Sequence, residues 1–225
     1  MPIISFVNRD IRETGQSLSV AAVAAVMAIE HNYRVIAIST DFNDKTLENS
    51  FYNSKQTSAV TSFLKNTITT DISNGAEGLI RAFASNRASA DMIKSYTKPI
   101  LKDRLDVLPG LKTTDYKTFV NMANYFSQIA DVANASYDMV IVDVSQEIPN
   151  DVQMRILNIS DLVLVGVNQS LAAVNNFLKL KTVEPFFQKS NVVIEIGKYN
   201  PYSKYSAKNI GRILREKNIP WTVPY

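Results

Sequence analysis

The chain has 225 residues, of which 46% are hydrophobic, and its formal net charge is only +3. This length suits one large α/β domain, and the dispersed, nearly balanced charges do not indicate a nucleic-acid-binding surface. There is no cysteine and only one histidine, so disulfides, thiolate metal sites, cysteine nucleophiles and histidine clusters are excluded.

The N-terminus begins directly on the strand-like run PIISFV, without the basic region and cleavage site of a signal peptide. The most apolar predicted helix, LSVAAVAAVMAIE, has about 13 residues, fewer than the roughly 20 that a bilayer span needs. The sequence therefore predicts a cytoplasmic protein without a membrane span.

Seven short apolar runs rich in β-branched residues alternate with helical stretches. They read IISFV, RVIAIS, RLDVLP, DMVIVDV, DLVLVGV, NVVIEI and WTV. Several are continuously apolar, as is typical of parallel strands that helices cover on both faces. The pattern predicts an α/β fold, doubly wound, with a mostly parallel central sheet of about seven strands and helices on both faces.

Six helices are predicted between these strands, and Ser206 is the expected N-cap of the last. They cover residues 17–30, 45–53, 116–133, 151–158, 172–180 and 206–216. The least regular region, residues 55–102, is interpreted as helical decoration over one sheet edge, broken at Gly75 and Gly78 and with Pro99 near its end. It serves either as a plain covering element or as a partner-binding surface. The whole chain, 1–225, is expected to form one domain.

The segment DIRETGQS, residues 10–17, lies between the first strand and an alanine-rich helix. It partly matches the phosphate-loop pattern GxxxxGK[ST], in which backbone amides and a lysine hold phosphate and the hydroxyl binds magnesium. Gly15 and Ser17 fit this pattern, whereas Asp10 and Gln16 do not.

Beyond the loop, the order of HNYRVIAISTDFND and YDMVIVDVSQEIPNDVQMRILNISDLVLVGVNQ resembles the ParA/MinD group of deviant Walker ATPases, of the SIMIBI class of P-loop NTPases, over almost the whole chain. The family motif KGGVGKT overlays residues 11–17. In that overlay both lysines are replaced, by Ile11 and Gln16, and the paired glycines become Arg12 and Glu13.

The resemblance also assigns acidic positions. STDFN matches the family's DxDPQ, with Asp41 at the second acidic position, and YDMVIVDVSQ matches YDYVIIDTPP, with Asp143 as the Walker B-like aspartate. The family's base-binding asparagine falls near Gly197, although Asn200 lies close by. The implied site has Asp41 as the catalytic residue, Ser17, Asp41 and Asp143 as metal ligands, and nucleotide contacts from Arg12, Glu13, Thr14, Gly15, Gln16, Ser17, Leu18, Asn200, Pro201 and Pro224.

These residues also have purely structural interpretations. Ser17 is a candidate helix cap, Asp41 could cap the helix that follows it, and Asp143 could cap the turn after its strand. Two carboxylates and a hydroxyl suit Mg2+, whereas phosphoryl transfer depends on the cationic groups that the loop has lost. The sequence leaves ATP with Mg2+ and no cofactor as equal alternatives.

The resemblance implies a degenerate, homodimeric positioning or assembly factor with weak or absent ATP binding and hydrolysis. Such relatives act with protein partners in plasmid or chromosome partition, conjugation or pilus localisation, the last being the role of TadZ-like proteins. The alternative is an active Mg-dependent ATPase in which arginines, Arg9 and Arg12, replace the lysines. Nucleic-acid binding is a further alternative, which the modest charge does not support.

Overall fold

The fold is built on one eight-stranded sheet, seen in a computed structural model that describes residues 1–9, 14–51, 75–85 and 89–224. The strand order is β3-β4-β2-β5-β1-β6-β7-β8, and every neighbouring pair is parallel except the antiparallel β3 and β4. The predicted doubly wound, mostly parallel α/β sheet is confirmed. The strands are β1 (Ile3–Asn8), β2 (Val35–Ser39), β3 (Lys98–Leu101), β4 (Leu105–Leu108), β5 (Met139–Val144), β6 (Leu162–Asn168), β7 (Val192–Tyr199) and β8 (Trp221–Pro224).

Helices cover the two faces of this sheet unequally. In the described residues they are α1 (Gln16–Glu30), α2 (Thr46–Phe51), α3 (Ala76–Ala84), α4 (Tyr116–Ala123), α5 (Phe126–Ala133), α6 (Asn150–Asn158), α7 (Leu171–Val183) and α8 (Ala207–Leu214), with 3-10 turns at Ala90–Tyr96 and Pro185–Gln188. The larger hydrophobic core packs the six helices from α3 through α8 against one face of the sheet. The helical residues of the smaller core come from α1 and α2. No helix within the described ranges is long and apolar enough to cross a membrane.

The segment predicted as helical decoration is only partly helical, and residues 55–74 and 86–88 of it lie outside the described residues. Its last part forms the edge strand β3, so Pro99 lies in a strand, where a residue without an N–H is tolerated at a sheet edge. Gly75, with φ of 122°, is the residue before α3. The residues before it are not described, so the predicted break at Gly75 stays a prediction. The predicted break at Gly78 is wrong, because this residue lies inside α3.

The single helix predicted over residues 116–133 is two helices, α4 and α5. The interruption comes at Asn124, whose side-chain amide donates to the carbonyls of Val120 and Asn121 at 3.0 and 3.2 Å. Asparagine competes in this way with the backbone pattern of a helix. The Tyr125 amide then bonds to the Met122 carbonyl in a tight turn before α5 begins.

Candidate functional site

The start of α1 lies at the carboxyl end of the parallel strands, where open α/β sheets bind ligands. Gly15 precedes the helix with φ of 80° and ψ of 21°, a left-handed conformation that favours glycine. Arg12 and Glu13 lie outside the described residues, so their predicted nucleotide contacts stay predictions. Ser17 is not the cap of α1, since it lies within the helix and Gly15 holds the cap position.

Thr14 packs directly against the ends of strands β6 and β7. It is buried, and a Cβ atom added to Gly197 would lie 1.9 Å from its carbonyl oxygen. A Cβ added to Gly166 would lie 3.0 Å from its hydroxyl oxygen. These two strand glycines let Thr14 approach β6 and β7. The sequence placed the family's base-binding asparagine near Gly197, but it predicted this close approach at neither glycine. An isolated glycine inside a strand is the available sequence signal for such an approach.

The side chain at the lost lysine position, Gln16, is turned into the sheet. Its Nε2 atom lies 2.5 Å from Asp143 Oδ1, 3.1 Å from the Val144 carbonyl oxygen and 3.2 Å from the Phe6 carbonyl oxygen. An amide nitrogen has only two hydrogens, so these three acceptors at the ends of β1 and β5 saturate it. Gln16 therefore directs its donors towards the protein.

Asp143 lies within β5 and is almost fully buried. Burial, followed by the negative charge of Asp41, raises the pKa of Asp143 to about 7, although the Ser17 hydroxyl and the Gln16 amide oppose the shift. Its Oδ1 accepts from α1 and its Oδ2 accepts no regular hydrogen bond from the described residues. The proposed cap of the following turn is therefore not formed by this carboxyl.

Asp41 follows β2, whose last residue, Ser39, is the register partner of Asp143. The Ser39 hydroxyl donates to Asp41 Oδ2 at 3.0 Å, and burial raises the pKa of Asp41. The alternative role of Asp41 as the cap of α2 is wrong. Asp44 accepts from the Lys45 and Thr46 amides at the start of that helix instead.

Ser17, Asp41 and Asp143 thus stand at one end of the sheet, where the charge of Asp41 raises the pKa of Asp143 and the Ser17 hydroxyl lowers it. The described residues include no group of three or more Asp, Glu, His or Cys suited to a metal ion. Two carboxylates and a hydroxyl nevertheless fit Mg2+ as it is held beside a phosphate, and the unbonded Asp143 Oδ2 is the kind of oxygen it would take. The uncharged Gln16 supplies no matching cation for that phosphate.

The remaining predicted contacts lie around this end of the sheet. The side-chain oxygen of Asn200 accepts from the Tyr202 amide at 2.9 Å and so closes a local turn. The backbone N–H and carbonyl of Asn200 both bond to the Gln169 side chain. Pro201 is exposed in that turn, Pro224 ends β8 beside Tyr199, and Leu18 is exposed on α1. No hydrogen bond joins Asn200 to α1 in the described residues.

Two basic residues near the loop differ in where they point. The Arg9 guanidinium lies 5.2 Å from the Phe187 ring centre, 3.0 Å from Asn150 Oδ1 and 4.0 Å from a Glu184 carboxylate oxygen, so it is engaged with α6 and the segment after α7. Lys198 has a left-handed backbone with φ of 50°, and its Cγ lies 3.9 Å from the Cβ position of Gly15. Lys198 is the loop-side cation that sequence reasoning missed.

No protein-family model and no curated protein sequence matches the chain. Its structure is similar to a ParA family ATPase from Chlorobium tepidum TLS, with a TM-score of 0.76 at 18% identity, covering 100% of this chain and 85% of that one. The chain has a ParA/MinD-like fold.

Other solved structures with this ParA/MinD-like fold differ in their described roles. A plasmid partition protein from Borrelia burgdorferi has a TM-score of 0.65 at 16% identity, with 99% of this chain and 89% of that one covered. The septum site-determining protein MinD from Pyrococcus horikoshii OT3, complexed with Mg-ADP, has a TM-score of 0.61 at 14% identity, covering 99% and 81%.

Proposed function

We propose that this ParA/MinD-like chain is a positioning or assembly factor that acts through protein contacts and has lost efficient ATP turnover. The proposal rests on the position of the Gln16 side-chain amide, which donates its hydrogen bonds to Asp143 and to backbone carbonyls of β1 and β5. The family lysine at this position neutralises phosphate charge, and a neutral side chain turned inward cannot. Similarity to partition and septum-siting proteins supports a positioning role for the fold.

Phosphoryl transfer gains its rate from positioning and from cations that stabilise the transferring group. Loss of one such donor costs on the order of 3 kcal/mol of transition-state stabilisation. The chain is accordingly proposed to dimerise without nucleotide, in the cytoplasm, and to recruit a protein partner of a partition, conjugation or pilus machinery.

The test is a titration of the purified chain with a fluorescent ATP analogue, with and without Mg2+, beside the Gln16→Lys variant. We expect no saturable binding by the wild-type chain and a gain of Mg2+-dependent binding in the variant, because the new ammonium group meets the phosphates. Sedimentation of the nucleotide-free protein should give a dimer of the 25.1 kDa chain. Saturable Mg2+-dependent binding by the wild-type chain would contradict the proposal.

A second candidate is a Mg-dependent nucleotide site in which another basic residue replaces the lysines. The contacts of Arg9 with Glu184 and Phe187 do not favour it as that replacement. The stem of Lys198 beside Gly15 is the observation that favours this candidate. If the wild-type chain binds the analogue, Lys198→Met should remove the binding, and Lys189→Met, whose ammonium group lies over the Phe186 ring, is the matched control.

A further inference from the structure

The segment between β2 and α2, residues 40–45, carries Asp41 and is named the Asp41 loop. It is hydrogen-bonded to the end of β5 and to the segment that follows it. Thr40 is fully buried, and its backbone N–H and its hydroxyl both donate to the Asp143 carbonyl, at 3.1 and 3.0 Å. The same hydroxyl oxygen accepts from the Ser145 amide at 2.8 Å. One side chain therefore continues the pairing of β2 with β5 beyond the end of both strands.

Glu147 makes a second link between these segments. Its carboxylate oxygen Oε2 accepts from the Phe42 backbone N–H at 3.1 Å. The backbone of Glu147 is itself fixed, because its amide donates to Ser145 Oγ at 3.2 Å and its carbonyl accepts from the Tyr116 hydroxyl at 2.6 Å. Glu147 is exposed, whereas the first link is buried. The two links lie on either side of Asp41 in the sequence.

On its opposite side the Asp41 loop pairs with the segment after β4. The Leu111 amide donates to the Asp41 carbonyl at 3.0 Å, and the Leu111 carbonyl accepts from the Asn43 amide at 2.8 Å. Phe42 and Leu111 form a parallel bridge between these bonds. If the link to Glu147 opens, the loop stays attached at Leu111 and can pivot away from β5.

The links between the Asp41 loop and β5 hold together carboxyl groups that repel one another. Burial is the main cause of the raised pKa of both Asp41 and Asp143, but like charges add to it. The charge of Asp41 raises the pKa of Asp143, and the charges of Asp44 and Glu147 raise the pKa of Asp41. The hydrogen bonds across the two segments therefore oppose a repulsion that pushes the loop away from β5.

We propose that Glu147 is a latch: its carboxylate, bound to the Phe42 N–H, keeps the Asp41 loop against β5 without a nucleotide. In GTPases the corresponding kind of loop is ordered by contacts with the γ-phosphate and Mg2+, and it is released on hydrolysis. Here a side chain of the chain itself orders the loop. The exposed Glu147 link can open without unfolding the sheet. The inference concerns bonds within the chain, so it holds whether or not the proposed loss of ATP turnover is correct.

The test is amide hydrogen exchange of the nucleotide-free chain, measured residue by residue by NMR, with the Glu147→Ala variant. The Phe42 amide should exchange about tenfold faster in the variant, because it loses a charged acceptor. The Ser145 amide should also exchange at least threefold faster, because pivoting of the loop withdraws the Thr40 hydroxyl from it. A bond with only a local role would accelerate Phe42 alone.

Matched amides and variants separate the latch from general destabilisation. The Asn43 amide, bonded to Leu111, and the amides of β1 should stay within about twofold of wild type. Glu147→Gln keeps an oxygen acceptor on a side chain of the same length and should restore slow exchange at both reporter amides. Glu30→Ala removes an exposed glutamate at the end of α1 and should change neither. Glu147→Asp, whose side chain is one methylene shorter, gives the same test if Glu147→Ala fails to fold.

Three results would overturn the proposal. The first is unchanged exchange of the Phe42 amide in Glu147→Ala. The second is acceleration of Phe42 with the Ser145 amide unchanged, because the bond would then hold no loop in place. The third is equal acceleration of the Phe42, Asn43 and β1 amides, or the same acceleration in Glu147→Gln as in Glu147→Ala, because the lost acceptor would then not be the cause.

Discussion

Single side chains explain why the loop resembles a phosphate site without having its charge. Gln16 and Ser17 lie beside the Asp143 carboxyl. The Gln16 side-chain amide donates to this carboxyl and to two backbone carbonyls instead of pointing towards a ligand. A carboxyl with a raised pKa thereby stays buried next to an uncharged donor. The acid half of the site is retained in a protonation state that depends on pH near neutrality.

This gives a pH prediction for stability. The pKa of Asp143 is about 7 in the folded chain and near 4 when unfolded, so the folded state holds an extra proton between these values. Stability contributed by this group therefore falls as pH rises, by roughly 2 to 3 kcal/mol between pH 5 and pH 8. Urea unfolding should show a smaller fall for Asp143→Asn. Parallel pH profiles for the two proteins would contradict the assignment.

The strand glycines give a second prediction at this scale. Gly197→Ala puts a methyl group 1.9 Å from the Thr14 carbonyl oxygen, so the loop must move, and unfolding free energy should fall by about 2 to 3 kcal/mol. Gly166→Ala is the graded control, because its Cβ meets the Thr14 side chain at 3.0 Å and that side chain can rotate. Denaturant melts compare the two; an equal or larger loss for Gly166→Ala would show that the backbone contact is unimportant.

The sequence predicted the position of Asp143 at the end of a strand beside the loop, because apolar runs and the Walker B-like pattern fix that register. It did not predict that Gln16 turns inward, since an amide side chain is equally suited to solvent. Nor did it predict the approach of Thr14 to Gly197, because Gly197 lies in β7, about 180 residues after the loop in the chain.

Among the elements, helix ends were better predicted than helix continuity. The predicted cap of α8 is confirmed: the Ser206 hydroxyl oxygen accepts from the Asn209 amide at 3.3 Å. The division between α4 and α5 was missed because Asn124 and Tyr125 sit in an otherwise regular apolar pattern. The strand β3 was missed because KPIL is short and follows a helical composition.

The cap carries a prediction of its own. Ser206→Ala should lower the free energy of unfolding by about 1 kcal/mol, because the Asn209 amide loses its acceptor at the helix N-terminus. Ser206→Asp keeps a side-chain oxygen at the same place and should be within a few tenths of wild type. Thermal or urea unfolding of the three proteins is the measurement. If Ser206→Asp lowers the free energy of unfolding as much as Ser206→Ala does, the effect comes from packing and not from the lost hydrogen bond.

For the molecule as a whole, the uneven covering of the sheet predicts uneven stability. β5 and β1 are central and buried throughout, whereas β3 and β8 are the two edge strands of the sheet. Amide hydrogen exchange should therefore be slowest in β1 and β5 and fastest in β3 and β8, since edge amides open with little loss of buried surface. Equal protection of β8 and β5 in the isolated chain would contradict this gradient.

The strand order also constrains when the chain can fold during its synthesis. β1, made first, is hydrogen-bonded to β5 and β6, which end at Val144 and Asn168. The first strand therefore has neither of its neighbours until most of the chain has left the ribosome, and such long-range pairing slows folding. Until then the apolar run IISFV has no sheet to join, and this makes the nascent chain dependent on protection from aggregation.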